Sequence, residues 1–295
     1  MELHQLRYFC AVARGGNFTR AAQLEHVAQP SLSQQILKLE DELGAKLFDR
    51  FPRSAKLTQF GRVFLPKAQG ILRQIGDART EIQEMAGEEK GEIVLGAIPT
   101  IAPYFLPSIL TSFAQRHPSV TVRVTEETTP VLLEQVHDGR IDLALLALPV
   151  PGDGLVCEEL LREPLFAVIP TKHPLAIKKA IDLREIKGDS FLLLKEGHCF
   201  RESTISACRR SKLRPNVVFE SGQFSTILAM VSAGMGVSIV PAMAVEKRKG
   251  CRFIRIQDER ATRCVGIVQL KHRFPPRAQC ALLEHLRQCV SPVKS

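Results

Sequence analysis

The chain lacks the marks of export. Its first residues, MELHQLRYFCAVARGG, open on an acidic side chain and hold no basic start, long apolar stretch or small-residue cleavage site. It also lacks a Gly-rich phosphate loop, an HExxH pair and paired CxxC spacings, so an ordinary nucleotide or zinc enzyme has no local support, and neither cofactor nor metal is expected. A membrane span is wanting too. Residues 221–245, SGQFSTILAMVSAGMGVSIVPAMAV, are uncharged and long enough to raise the question, but Gln223, Ser232, Gly234, Gly236 and Pro241 divide them into a buried helix, a Gly-Met-Gly turn and a buried strand. The expectation is a cytosolic protein without a membrane partner, whose eight cysteines stay mostly reduced.

What is present suggests two domains: 295 residues with 45% apolar content can fill more than one core. The formal net charge of +9 suggests a polyanionic partner, yet residues 1–90 carry only +2 of it. A local run locates the partner better. Between Lys46 and Arg73 lie seven basic residues, Arg50 and Arg53 among them, against the single acid Asp49.

Just upstream, NFTRAAQLEHVAQPSLSQQILKLEDELG predicts a helix from about Thr19, a turn through His26 to Ala28, and a second helix from about Pro30. Leu32, Ile36, Leu39 and Leu43 form one apolar stripe on that second helix. Ser31, Gln34, Gln35 and Lys38 lie off the stripe, where short hydroxyl, amide and cationic side chains suit base edges and phosphates in a major groove.

The stretch Leu3–Leu65, including LRYFCAVARGGNFTRAA, QPSLSQQILKLEDELGAKLFDR and LTQFG, resembles the DNA-binding domain of the LysR-type transcriptional regulators. The family commonly has Ser where this chain has Ala28, a lost helix cap that costs about 1 kcal/mol. The resemblance implies a winged helix-turn-helix over 1–58, classed as all-α, that binds double-stranded promoter or operator DNA. Gln29, Pro30, Ser31, Ser33, Gln34, Gln35, Lys38, Arg50 and Arg53 are the candidate contacts. A linker helix follows over 59–90, in which Phe64, Ala68, Ile71, Ile75, Ala78, Ile82 and Met85 keep a coiled-coil seam and predict a dimer. GEEKGE, residues 87–92, then reads as the linker. Assembly into a homotetramer, contact with RNA polymerase and activation of transcription are implied by the family.

Beyond the linker, EIVLGAI, VTVRVTE, DLALLAL, LFAVIP, SFLLLK, NVVFE, VSIVP and CVGIVQL alternate with helix-length segments, the pattern of an α/β fold. The resemblance makes residues 91–295 a two-lobed, periplasmic-binding-protein-like effector domain. Lobe I spans about 91–164 plus 266–295, and lobe II about 165–265.

EGHCFRESTISACRR, residues 196–210, places Cys199 near a helix N-terminus, where unpaired N–H groups favour an anion, so a depressed thiol pKa is expected. Gly197-His198-Cys199, Arg201 and Cys208 resemble the peroxide-sensing OxyR branch of the LysR-type family, with a peroxidatic and a resolving cysteine in that order. By the same resemblance Thr100 and Thr129 join His198 and Arg201 in a pocket for hydrogen peroxide, while Phe200, Glu202 and Ser203 depart from the branch's usual Leu-Asp-Gln. Nine helical residues separate the two thiols by about 13.5 Å, whereas a disulfide needs Cα atoms within roughly 7 Å, so closing the pair must remodel the segment. Cys10, Cys157, Cys251, Cys264, Cys280 and Cys289 are expected to act as small core residues. Three alternatives stand beside this reading: a LysR-type regulator of a small organic effector, a thiol enzyme, and metal binding by His198, Cys199 and Cys208, which lacks a fourth ligand.

Overall fold

The computed structural model describes residues 1–51, 54–85, 91–271 and 275–290. Arg53, positions 86–90 of the expected linker end and the tail from 291 lie outside them. The chain divides into two compact units, with the change near residue 88.

The first unit begins with α1 (Leu3–Gly15), α2 (Phe18–Leu24) and α3 (Gln29–Leu43). Its caps follow local chemistry. Glu2 and Gln5 form a reciprocal capping box on α1, and the Asn17 side chain accepts from the N–H groups of Thr19 and Arg20 at the start of α2. Ala28 gives α3 no side-chain cap, as the sequence implied, and Pro30 in the first turn leaves one fewer donor to satisfy. Leu32, Ile36 and Leu39 are fully buried beside Leu6, Phe9 and Val12.

An antiparallel wing follows, β1 (Phe48–Phe51) on β2 (Ser54–Leu57), so the domain is not purely helical as expected. Glu40 anchors it. This buried carboxylate on α3 accepts from the N–H groups of Leu47 (2.7 Å) and Phe48 (3.1 Å) and from Arg50 (3.1 Å). A Cβ at Gly61 would lie 2.2 Å from the Leu47 carbonyl oxygen, which explains the glycine of LTQFG.

The long helix α4 (Gln59–Met85) carries the expected seam, but the seam is divided. Phe64, Ala68 and Ile71 pack on the core of their own unit, while Ala78 is exposed and Ile82 is 66% exposed. The side chain of Met85 lies outside the described residues.

The second unit has two hydrophobic cores. In the first, β3 (Gly91–Ala97) lies parallel to β4 (Val120–Glu126) and to β5 (Leu143–Leu148), with α5 (Ala102–Arg116) joining β3 to β4 and α6 (Thr129–His137) joining β4 to β5 in chain order. GEEKGE therefore ends inside a strand. The 16-residue β6 (Leu155–Pro170) then runs from this core into the other, which is built around β7 (Ala180–Ile181), β8 (Ser190–Leu194), α7 (Cys199–Arg210), β9 (Asn216–Ser221), α8 (Phe224–Ser232), β10 (Ser238–Pro241) and β11 (Cys251–Ile256). Through β12 (Thr262–Leu270), antiparallel to both β5 and β6, the chain returns to the first core, which α9 (Arg277–Val290) completes. The sheet order is β4-β3-β5-β12-β6-β11-β7, with β10 on β6. Among the described residues no helix is long and apolar enough to cross a membrane.

Candidate functional site

The candidate site residues fall into two groups, one in each unit. On α3, Gln29, Pro30, Ser31, Gln34 and Lys38 are exposed, which leaves them available to a duplex. Three other expected contacts are already engaged within the domain. Arg50 donates to the Ser33 hydroxyl at 3.0 Å and to Glu40, with its guanidinium 4.8 Å from the Phe18 ring centre; Gln35 accepts from Gln5 at 3.1 Å. Arg50 and Ser33 thus tie α3 to the wing, and Gln35 ties it to α1.

The second group lies between the two cores of the effector unit. The loop after β3 supplies Ile98, Pro99 and Thr100; the start of α6 supplies Thr128 and Thr129; the turn after β8 supplies Gly197, His198 and Cys199. Together they line a narrow cleft of about 170 Å³ with no room for a water-sized sphere, so admitting even a small oxidant requires side-chain movement. Gly197 adopts a positive φ of 89°, a conformation that glycine reaches without a steric cost. His198 is the N-cap of α7 but makes no side-chain cap, and Cys199 is the first helical residue. One polar atom of the cleft is unsatisfied: the buried hydroxyl oxygen of Thr129 has no hydrogen-bond partner. Burial and the nearby Lys195 hold the His198 pKa below its ordinary value, which keeps the imidazole neutral at physiological pH.

Cys208 is elsewhere. It is 0% exposed in the core formed by Phe191, Phe200, Leu213 and their neighbours, and burial pushes its thiol up to about 11 from an ordinary 9.0. Between those values the folded chain keeps a proton that the unfolded chain releases, so this contribution to stability is complete below about pH 9 and declines as pH rises toward 11. Denaturant melts of the reduced protein should accordingly lose stability over that window, and Cys208→Ala should reduce the loss; parallel curves for the two proteins would contradict it.

Arg201 is not a wall of the cleft. Its guanidinium donates to the Leu194 carbonyl at 2.8 Å and to Glu220 at 2.5 Å, tying α7 to β8 and β9. The cation beside the cleft is Arg263, which sequence reading missed. It is 3% exposed, donates from Nε to Glu163 (2.6 Å) and from its two Nη atoms to the hydroxyl and carbonyl oxygens of Thr100 (3.0 Å each), and lies 5.3 Å from the Phe200 ring centre. Burial lowers its pKa, while Glu163 foremost, then Cys199 and Tyr104, pull the other way. The one available signal was a lone arginine inside the apolar strand TRCVGIVQL.

Of the six cysteines expected in cores, Cys10, Cys251 and Cys264 are buried, but Cys157, Cys280 and Cys289 are exposed. Residue type alone placed them wrongly, because strand alternation and the outer face of α9 turn these three sulfurs outward. Among the described residues no group of three or more potential ligands stands where it could hold a metal ion.

A helix-turn-helix reading head followed by a two-lobed binding domain defines a DNA-binding transcription regulator. Residues 3–62 match the bacterial regulatory helix-turn-helix protein, lysR family, and residues 86–290 match the LysR substrate binding domain. The chain belongs to the LysR family. It is 34% identical to the uncharacterized HTH-type transcriptional regulator YybE of Bacillus subtilis, over 93% of this chain and 94% of that protein. It is 32% identical to the dual regulator OxyR of Escherichia coli, over 91% and 89%. The full-length OxyR of Pseudomonas aeruginosa superposes with a TM-score of 0.82 at 32% identity, covering 97% of this chain and 95% of that one.

Proposed function

We propose that this regulator senses hydrogen peroxide through Cys199 and responds by forming a disulfide with Cys208. One observation carries the reading: Cys199 shares a cleft with the hydroxyls of Thr100 and Thr129 and with His198, whereas Cys208 is buried further along the same helix. Two hydroxyls and an imidazole suit a small polar oxidant and offer little to a larger ligand. The Cys199 thiolate attacks one peroxide oxygen, the O–O bond breaks, and the departing hydroxide takes a proton to leave as water, giving a sulfenic acid. Cys208, protonated and enclosed, becomes a nucleophile only when the helix opens. Its thiolate then attacks the Cys199 sulfur, the S–S bond forms and the sulfenic oxygen leaves as water.

The domain organisation follows the same proposal: DNA binding by residues 1–58, a linker over 59–90 and an effector domain from 91, with lobes meeting near 164 and 265. The exposed half of the α4 seam, Ala78 and Ile82, favours a homodimer through this helix, which would assemble into a tetramer, bind promoter DNA and contact RNA polymerase. A rival reading, a LysR regulator of a small organic effector with non-sensing cysteines, rests on the match of residues 86–290 to the LysR substrate binding domain. Mass spectrometry after substoichiometric peroxide separates them. Selective oxidation of Cys199 and Cys208 supports sensing, and scattered oxidation of the exposed Cys157, Cys280 and Cys289 supports the rival.

On DNA, Arg53→Ala should weaken binding to all sequences and reduce the salt slope by about 0.9, the value for one released phosphate contact. Gln34→Ala or Ser31→Ala should instead change base preference by about 1–3 kcal/mol with the slope unaltered. Footprinting across a salt series distinguishes the two classes, and identical effects would overturn the division.

A further inference from the structure

We propose that Glu163 is a positioning residue for the thiol cleft: through Arg263 it sets the Thr100 hydroxyl to donate a hydrogen bond into the cleft. The inference rests on the peroxide-sensing reading and extends it to a residue that does not touch the cleft.

Both carboxylate oxygens of Glu163 are engaged. Oε1 accepts from Arg263 Nε at 2.6 Å and Oε2 from the Met243 backbone N–H at 2.7 Å, so the 6% exposed side chain is held in one orientation. It sits on β6 opposite Arg263 on β12, in the register Arg263↔Glu163, where both strands run between the two cores. With one edge of the guanidinium fixed, Nη1 donates to Thr100 Oγ1 and Nη2 to the Thr100 carbonyl, each at 3.0 Å. An arginine only donates, so Thr100 Oγ1 must accept from it. The threonine proton is then directed elsewhere, and Thr100 lines the cleft beside Cys199. A hydroxyl donor at that place stabilises the oxygen that leaves as the O–O bond breaks, where negative charge develops.

The test compares two reagents on Cys199 in the full-length reduced protein. Peroxide needs a donor for its leaving oxygen; iodoacetamide, which expels iodide, does not need that hydroxyl. Glu163→Gln should slow the peroxide reaction roughly 10- to 100-fold while changing alkylation by less than about threefold. Glu163→Asp, which keeps the charge, should recover part of the peroxide rate. Thr100→Val leaves the Glu163–Arg263 pair in place and should reproduce the selective loss, which keeps the proposal testable should Glu163→Gln fail to fold. Equal losses with both reagents, or an unchanged peroxide rate in either Glu163→Gln or Thr100→Val, overturn it. A wild type no faster than free cysteine with peroxide overturns the sensing reading and this inference with it, whereas a fast wild type with unaffected variants overturns this inference alone.

Discussion

Cys199→Ser is expected to abolish the peroxide response, so that DNA occupancy by the variant is the same before and after oxidant. A serine hydroxyl at the head of α7 is not ionised at neutral pH and cannot attack the O–O bond. Cys208→Ser has a different expected outcome. The first oxidation proceeds because the cleft residues are untouched, and a sulfenic acid accumulates at Cys199 with no resolving thiol. The response is then weak or transient, and excess peroxide carries the sulfur on to the sulfinic state. Hydrogen exchange reports the conformational half. With about 13.5 Å along an intact α7 between the thiols, the disulfide requires Phe200–Arg209 to unwind, and amides there should lose protection on oxidation of the wild type but much less in Cys208→Ser. A wild type that responds with both thiols free by mass spectrometry, and with unchanged exchange in α7, would refute the switch.

How far the molecule was legible in its sequence depended on whether local pattern or distant contact set each feature. The stripe Leu32, Ile36, Leu39 recurs at helical spacing and is buried, because a helix fixes which side chains share a face. The strand CRFIRI, β11, offers no continuous apolar run and no regular alternation: Arg252 and Arg255 are exposed while Ile254 and Ile256 enter the core. The first half of β6, LVCEELLRE, mixes charged and apolar residues just as irregularly, and only its apolar end LFAVIP stands out as a strand in the sequence. At the cleft, Thr100, Thr129, His198 and Cys199 do converge, from segments as much as a hundred residues apart. Spacing could not have shown that; the family resemblance did. Arg263 takes the place expected of Arg201, since partner identity depends on tertiary register: Arg263 lies opposite Glu163, and Arg201, in the first turn of α7, reaches back to the Leu194 carbonyl on β8 and to Glu220 on β9. Arginine in an apolar strand is read as an edge position until the buried carboxylate opposite it is known.

Phe200 offers a second large effect, on redox balance. The family branch usually has leucine there, and in this chain the larger ring is 1% exposed, meets Phe224 edge to face at 5.1 Å and lies under Arg263. It fastens the first turn of α7, next to Cys199, to α8 and to the cation of the cleft. Forming the disulfide must withdraw this ring from its seat, so the seat stabilises the reduced state against the oxidised one. Phe200→Ala removes about 3–5 kcal/mol of packing from the reduced state. At about 30 mV per 1.4 kcal/mol for a two-electron couple, the Cys199–Cys208 midpoint should move roughly 60–110 mV more negative, and the protein should remain oxidised in buffers that reduce the wild type. Phe200→Leu should move it the same way by a smaller amount, since leucine refills part of the site. The measurement is equilibration in a series of dithiol–disulfide buffers with the two thiols quantified by alkylation and mass spectrometry. A midpoint that stays in place or moves positive in Phe200→Ala would mean that the ring keeps its seat in the oxidised protein, and that α7 opens only beyond its first turn.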